Sequence, residues 1–246
     1  MAAAFLQAAL NGDRIHSAAP RTPEEIARDA RAVVDAGALS VHVHAFDESG
    51  RGRETFDGDA CAKTLRAIRA LCPGTAISLT TSATIISDPQ ERLRIIKEWT
   101  EMPDLVSANQ GEAEIVELCE LLLSRGVGIE AGLLSVEDTH AFIRSGLASH
   151  CRRVLIEPLD ADPATALRHA GAMETILASA GITLEQVHHG YGIACWAVNR
   201  RALARGHGIR TGLEDVTVLP DNTPARSNAD LVAAAYRIIH QHNRPL

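Results

Sequence analysis

The sequence predicts an α/β protein of the (β/α)8 barrel class, folded as one domain over residues 1–246. Three observations predict it. About eight short apolar runs of β type alternate with amphipathic helical stretches, and no Pro/Gly/Ser-rich linker or shift in composition divides them. No Gly-x-Gly-x-x-Gly follows the first strand, which removes the main support for a doubly wound dinucleotide-binding sheet. With 246 residues, 46% of them hydrophobic, the chain can bury a sizeable core.

The predicted strands are Ala4 to Leu10, Leu39 to His44, Ala76 to Thr80, Leu105 to Ala108, Gly128 to Gly132, Val154 to Pro158, Gln186 to His189 and Gly208 to Leu213. Helix starts carry their own chemistry. Thr22-Pro23-Glu24-Glu25 supplies an N-cap, a first-turn proline and a capping-box glutamate ahead of Ile26, Ala30 and Val34, and Gly37 closes that helix. Ser87-Asp88-Pro89 and Asp162-Pro163 open two more, a last helix runs from Ser227 to about His242, and His207 reads as a helix C-cap residue.

Composition narrows the function classes. The formal net charge is -7 and the 24 Lys and Arg residues are scattered, which argues against a nucleic-acid or membrane-surface partner. Only 3% of residues are aromatic, too few to build stacking platforms for single-stranded nucleic acid. Met1 to Leu10 is apolar but has no basic n-region, so it reads as a buried strand rather than a signal peptide or membrane span. Five cysteines without a CxxC pair read as reduced thiols in a cytoplasmic protein. Small-molecule chemistry is the remaining expectation.

In a barrel of this kind, functional side chains gather at the C-terminal ends of strands and in the loops that follow. The search therefore starts at Leu39-Ser40-Val41-His42-Val43-His44. The histidines are two apart on a predicted strand, so their rings point to one side while Val41 and Val43 point to the other. A lone histidine there is best read as a core or turn residue, but a pair at a strand end favours a shared metal ion. A catalytic ion needs a third ligand, and Glu214, just past the last predicted strand, is the candidate. Two imidazoles and a carboxylate suit zinc or another divalent first-row ion. Arg210 lies on that same strand with spacing that can aim it inward, and Asp215 can pair with it. A structural ion pair inside the barrel explains these two equally well.

With these residues in view, the chain resembles the β-keto acid cleavage enzymes of the 3-keto-5-aminohexanoate cleavage type. Three segments carry the resemblance, in family order. The first is Leu10-Asn11-Gly12 with Thr22-Pro23-Glu24-Glu25-Ile26-Ala27, and the second is Ala36-Gly37-Ala38 leading into His42-Val43-His44 and Asp47-Glu48-Ser49-Gly50. The third is Gly206-His207-Gly208-Ile209-Arg210-Thr211-Gly212-Leu213-Glu214-Asp215, followed by Ser227-Asn228-Ala229-Asp230-Leu231-Val232.

The resemblance implies a TIM barrel that holds Zn2+ through His42, His44 and Glu214 and assembles as a homotetramer. It implies a reaction in which a small β-keto acid and acetyl-CoA give acetoacetate and a new acyl-CoA, the metal stabilising the enolate. Thr80, Thr81, Ser82, Ser107 and Asn109 fall in the region that holds the keto acid's carboxylate, with Asn11 and Arg14 as further substrate-binding positions. Arg210 and Asp215 match positions that take part in proton transfer, and Glu130, read as ending strand five, matches a glutamate near the metal.

The chain departs from that pattern in five places. Ala45-Phe46 replaces a basic residue after the second histidine, and Thr81-Ser82-Ala83 replaces a glycine-bearing turn. Arg14 replaces an acidic residue that binds a substrate amine, which points to a keto acid with a neutral or anionic side chain. After strand six, Glu157-Pro158-Leu159-Asp160 lacks a glycine-rich loop, and the chain runs only to Asn243-Arg244-Pro245 and Leu246. If that loop serves the thioester, the alternative is a metal-dependent barrel lyase or hydrolase acting without CoA. A catalytically silent metal-binding scaffold is a third reading.

Overall fold

The computed structural model describes residues 4–47 and 52–242. Local signals in the sequence form the elements they announce. Thr22 caps α1 (Pro23–Asp35) with a capping box: its hydroxyl accepts from the Glu25 N–H, and the Glu25 carboxylate accepts from the Thr22 N–H. Gly37 follows the helix at φ +112°, where an added Cβ would lie 2.3 Å from Tyr236 Cδ2, so glycine is required by both backbone and packing. Asp88 and Asp162 cap α3 (Pro89–Lys97) and α6 (Pro163–Ser179), each with proline in the first turn. The Ser227 hydroxyl accepts from Asp230 N–H at the start of α8 (Asn228–His242).

Eight parallel strands alternate with these helices and with α2 (Gly58–Leu71), α4 (Ile115–Ser124), α5 (Val136–Ser145) and α7 (Ala194–Ala204). The strands are β1 (Leu6–Ala9), β2 (Ser40–Val43), β3 (Ala76–Thr80), β4 (Leu105–Asn109), β5 (Gly128–Leu133), β6 (Arg153–Ile156), β7 (Gln186–His188) and β8 (Gly208–Thr211). They close in chain order, with β1 paired to both β2 and β8, so the fold is a (β/α)8 TIM barrel. The seam has a steric condition at Gly212: a Cβ there would fall 1.8 Å from the Ala9 carbonyl oxygen. Residues 48–50 of the second family segment, and residues 243–245, lie outside the described residues.

Several strands stop one or two residues before the predicted ends, always at the mouth. Leu10, His44, Leu213, Pro158 and His189 leave the regular ladder as the chain turns into loops. Their polar groups find other partners; the His44 N–H donates to Asn11 Oδ1 at 2.8 Å.

Val41 and Val43 are buried in the layer between sheet and helices, as the alternation requires. The barrel interior departs from the usual filling of branched aliphatics. Gln7, Ser78 and Glu130 are fully buried there, and Gln7 Nε2 donates to both Glu130 carboxylate oxygens at 3.0 and 3.2 Å. Glu130 therefore does not end strand five, which continues to Leu133. It points into the interior from the middle of β5 because its parity on the strand is inward.

His207 is a second correction. The cap of α7 is Arg205, while the His207 N–H returns to the Ala202 carbonyl at 2.9 Å and its ring joins a cluster around Glu174. Glu174 on α6 meets Arg201 Nη2 at 2.5 Å, Arg205 Nη2 at 2.7 Å and His207 Nε2 at 3.1 Å, fastening α6 to α7. Burial pushes its carboxyl up, but these three partners outweigh it and hold the pKa at about 2. Because that lies below the ordinary glutamate value, the contribution to stability is complete above about pH 4.5 and is lost as pH falls towards 2. Glu174→Gln is expected to cost roughly 2 kcal/mol at pH 7 and to flatten the loss of stability between pH 4.5 and 2, as read from urea midpoints across that range.

Candidate metal centre

Closure of the barrel at β8, β1 and β2 brings three separated residues together. His42 is on β2 and His44 lies one residue past it, their rings 5.3 Å apart between centroids and nearly perpendicular. Glu214 stands on the tight turn after β8, where the N–H groups of Asp215 and Val216 both return to the Gly212 carbonyl at 2.9 Å. Leu213 N–H is held by Asn228 Oδ1 at 2.7 Å, which ties this turn to α8. Gly12, at φ +86°, faces the Glu214 side chain so closely that a Cβ would sit 3.0 Å from its Cγ.

One nitrogen or oxygen atom from each of the three residues lies within 4.8 Å of the others. His42 Nε2 is 3.5 Å from Glu214 Oε2, and His44 Nε2 is 3.6 Å from Glu214 Oε1. These separations are long for hydrogen bonds but close to the roughly 3.3 Å edge of a tetrahedron with bonds of about 2.0–2.1 Å. Glu214 Oε2 is buried without a hydrogen-bond partner, with His42 Nε2 at 3.5 Å. The donor set and this oxygen without a hydrogen bond both fit a divalent cation.

The outer faces of both imidazoles are occupied. His44 Nδ1 lies 2.7 Å from Glu54 Oε1. His42 Nδ1 is 3.2 Å from the Ser78 hydroxyl, which donates to Glu130 Oε2, and Arg153 Nε approaches Glu130 Oε1 at 3.5 Å. Partners on Nδ1 leave Nε2 as the ligand atom on both rings. Glu130 thus reaches the centre only through Ser78 and His42.

The charges in the site are strongly biased. Burial pushes His42 down to about 3, which keeps it neutral. Burial also acts against charged His44, but Glu214 and Glu54 outweigh it and raise this ring to about 9. Burial pushes the Glu214 carboxyl up, while Arg210 and the two imidazoles hold it well below the usual range. Arg210 donates from Nη2 to Glu214 Oε1 at 2.7 Å and to Asp215 Oδ1 at 2.8 Å, and from Nε to Asp215 Oδ2 at 3.2 Å. These carboxylates overcome burial and hold Arg210 firmly cationic.

The remaining predicted positions fall into two groups around the mouth. Asn11 spends its amide on backbone, donating to Pro20 O and His44 O at 3.1 Å each. Arg14 donates to the carbonyls of Glu214 at 3.0 Å and Asp215 at 3.4 Å and lies over the Tyr191 ring. Both residues brace the ligand segments. Across the mouth, Thr80 pairs with Ser107 in the register of β3 and β4, followed by Thr81, Ser82 and Asn109. The Thr81 hydroxyl donates to Ser107 O at 2.7 Å, and Asn109 Nδ2 donates to Glu112 Oε1 at 2.9 Å. Buried Arg92 pairs with Glu112 and donates to Thr81 O at 3.1 Å, fastening the two loops together.

Sequence reading missed Ser78, Glu54 and His189. Ser78 shares the inward parity of Thr80 on β3, and His189 ends a predicted strand, so both carried a usable signal. Glu54, which follows His44 in the chain, carried none.

A closed barrel with convergent imidazoles and carboxylates at its C-terminal mouth defines a metal-dependent (β/α)8 enzyme. The sequence model of the family described as beta-keto acid cleavage enzyme matches residues 4–150 and 159–246, and the chain belongs to that family. Its relatives include the 3-keto-5-aminohexanoate cleavage enzyme of Fusobacterium nucleatum, 27% identical over 242 residues, covering 93% of this chain and 87% of that protein. The enzyme of the same name from Acetoanaerobium sticklandii is 24% identical over 92% of this chain and 86% of its own length. Among solved structures, the ternary complex of ObcA with C4-CoA adduct and oxalate superposes with a TM-score of 0.73 at 17% identity. That match covers 91% of this chain but 64% of the ObcA chain, and at such identity the likeness lies in the fold.

Two measurements test the centre. His42→Ala and Glu214→Ala are expected to abolish stoichiometric uptake of a divalent metal ion by elemental analysis. Glu54→Gln is expected to weaken metal affinity about 10- to 100-fold in chelator competition. Below about pH 9 a cation must displace a proton from His44, so wild-type affinity should rise with pH towards that value.

Proposed function

We propose that this chain, as a single domain over residues 1–246, cleaves a small β-keto acid with acetyl-CoA as acyl partner, using Zn2+ or another first-row divalent ion. The observation that carries this reading is the buried Glu214 carboxylate, whose Oε2 lacks a hydrogen bond and faces His42 Nε2 at 3.5 Å while Oε1 lies 3.6 Å from His44 Nε2. His42, His44 and Glu214 would hold the ion. When bound, it would supply Lewis acidity for the keto oxygen and for the negative charge that develops as the C–C bond changes partners.

Arg210 is too firmly protonated to serve as a base, so proton acceptance falls to Asp215, directly or through a water, with Arg210 fixing its orientation. Hydroxyls of Thr80, Ser82 and Ser107, with Thr81 and Asn109 shaping their loops, are suited to a substrate carboxylate. The cationic Arg14 braced behind Glu214 favours a keto acid with a neutral or anionic side chain.

ObcA has been solved with a C4-CoA adduct, which supports a CoA-linked reaction for this barrel. The contrary observation is the break in the family match at residues 151–158, around β6. It favours a second reading, a lyase or hydrolase acting without CoA. The described residues contain no helix long and apolar enough to cross a membrane, and all five cysteines are free and buried, which agrees with a reducing cytoplasm. Exposed Ile15, Leu159, Tyr191 and Ile193 belong to loops after the strands and would give a homotetramer apolar contact area.

A panel of β-keto acids, incubated with metal-loaded protein with and without acetyl-CoA and followed by mass spectrometry, tests the proposal. The expected outcome is acetoacetate and a new acyl-CoA only when acetyl-CoA is present. Product without CoA would favour the second reading, and no turnover across the panel would defeat both. Asp215→Asn should lower kcat about 10²- to 10⁴-fold.

A further inference from the structure

His189 is the buried group at the mouth that the proposed chemistry leaves unused. It follows β7 directly, is 1% exposed, and holds its ring between two carboxylates. Nδ1 is 3.4 Å from Asp215 Oδ1, and Nε2 is 3.2 Å from Glu157 Oε2. Backbone bonds fix both sides of this array: His189 N–H donates to Ile156 O at 3.1 Å, and Gly192 N–H donates to Asp215 O at 2.8 Å.

Asp215 is the residue that the preceding reading makes the proton acceptor, and its orientation is set from two directions. Arg210 grips it from β8, and His189 meets it from β7. We propose that His189 is a positioning residue for proton transfer, its Nδ1–H orienting the Asp215 carboxylate, and that Glu157 aims the imidazole from the opposite side. The proposal rests on the β-keto acid reading and extends it to the β6–β7 wall.

The charged surroundings agree. Burial and Arg210 oppose protonation of His189, but Glu157 and Asp215 outweigh them and raise it to about 9. The titratable groups around it are Glu157 after β6, Asp215 and Arg210 from β8 and its turn, and the Cys195 thiol of α7 near the Arg210 carbonyl and the Thr211 hydroxyl. The neighbouring His188 turns away and stacks on His207. Glu157 falls within the stretch 151–158 that the family model leaves unmatched, so this outer carboxylate belongs to a part of the chain with its own pattern. Its side chain is 22% exposed against 1% for His189, placing it at the open end of the array.

Asparagine places a donor near the position of imidazole Nδ1, whereas glutamine places one near Nε2, so the two substitutions separate orientation of Asp215 from simple filling of space. Metal-loaded full-length wild type, His189→Ala, His189→Gln, His189→Asn and Asp215→Asn would be compared. The readout is solvent-deuterium exchange at the α-carbon of acetoacetate by NMR, above the protein-free rate and without acetyl-CoA. Expected is a fall of about 10- to 100-fold in kcat for His189→Ala and His189→Gln with KM within about threefold, and recovery to within about threefold of wild type for His189→Asn. Imidazole 15N shifts of metal-free wild type should show both His189 nitrogens protonated at pH 7.5, and Glu157→Gln should shift this balance towards the neutral ring.

Wild-type exchange in all three His189 variants, with Asp215→Asn slowed, would overturn the proposal and leave the β-keto acid reading intact. Equal loss in all three, Asn included, would assign His189 a structural role and also overturn it. Unchanged exchange in Asp215→Asn, or none in wild type, would defeat the underlying reading and the proposal with it. Should the variants fail to fold, a neutral His189 ring with its Nδ1 lone pair facing Asp215 in wild type would be decisive against the proposal.

Discussion

The mouth of this barrel depends on one contact, the Arg210 guanidinium shared between the carboxylates of Glu214 and Asp215. Arg210 and Asp215 are buried and Glu214 is partly so, and an isolated buried charge there would carry a penalty of several kcal/mol. Arg210 compensates both carboxylates and sorts them. It donates to Glu214 Oε1, which also faces His44, and leaves Oε2 towards His42, while it takes both oxygens of Asp215 from one side and leaves the other to His189. One cation thereby separates a carboxylate suited to ligation from one suited to proton transfer.

Around this contact the barrel is built as nested polar contacts rather than as an aliphatic plug. Gln7, Ser78, Glu130 and Arg153 lie beneath the ligands, and Glu54, Asn11 and Arg14 flank them. Buried polar groups are costly unless partnered, and a network of this kind has few alternative arrangements. Rigidity is the return: each imidazole has its orientation set before any ligand arrives. The aliphatic core lies outside the sheet, where Val41, Val43, Ile77 and Leu79 pack beneath the helices. Hydrophobic burial therefore holds the barrel closed while its interior is given over to electrostatics.

Family membership and the local chemistry bear on different questions. The family match covers the β2 and β8 segments that carry the three ligand candidates, and it breaks at β6. The wall contributed by β6 and β7 presents Glu157, Leu159, His189 and Tyr191, a mixture of charge and exposed apolar surface unlike the hydroxyl-rich β3 and β4 side. A substrate seated between these walls would meet hydroxyl donors on one side and a carboxylate–imidazole pair on the other.

The sequence by itself determined the repeat of strand and helix, the caps of α1, α3 and α6, and the shared parity of His42 and His44, because each follows from neighbours a few residues apart. It also pointed to Glu214 through the rule that barrel strands end at the site. Tertiary structure decided what local pattern cannot encode. It moved Glu130 from a presumed strand end to the barrel interior, turned Asn11 and Arg14 to backbone of the ligand segments, and brought Glu54 and His189 to the site. Those contacts join residues distant in sequence, and only closure of the sheet at β1 and β8, with Gly12 and Gly212 clearing the space, sets their distances.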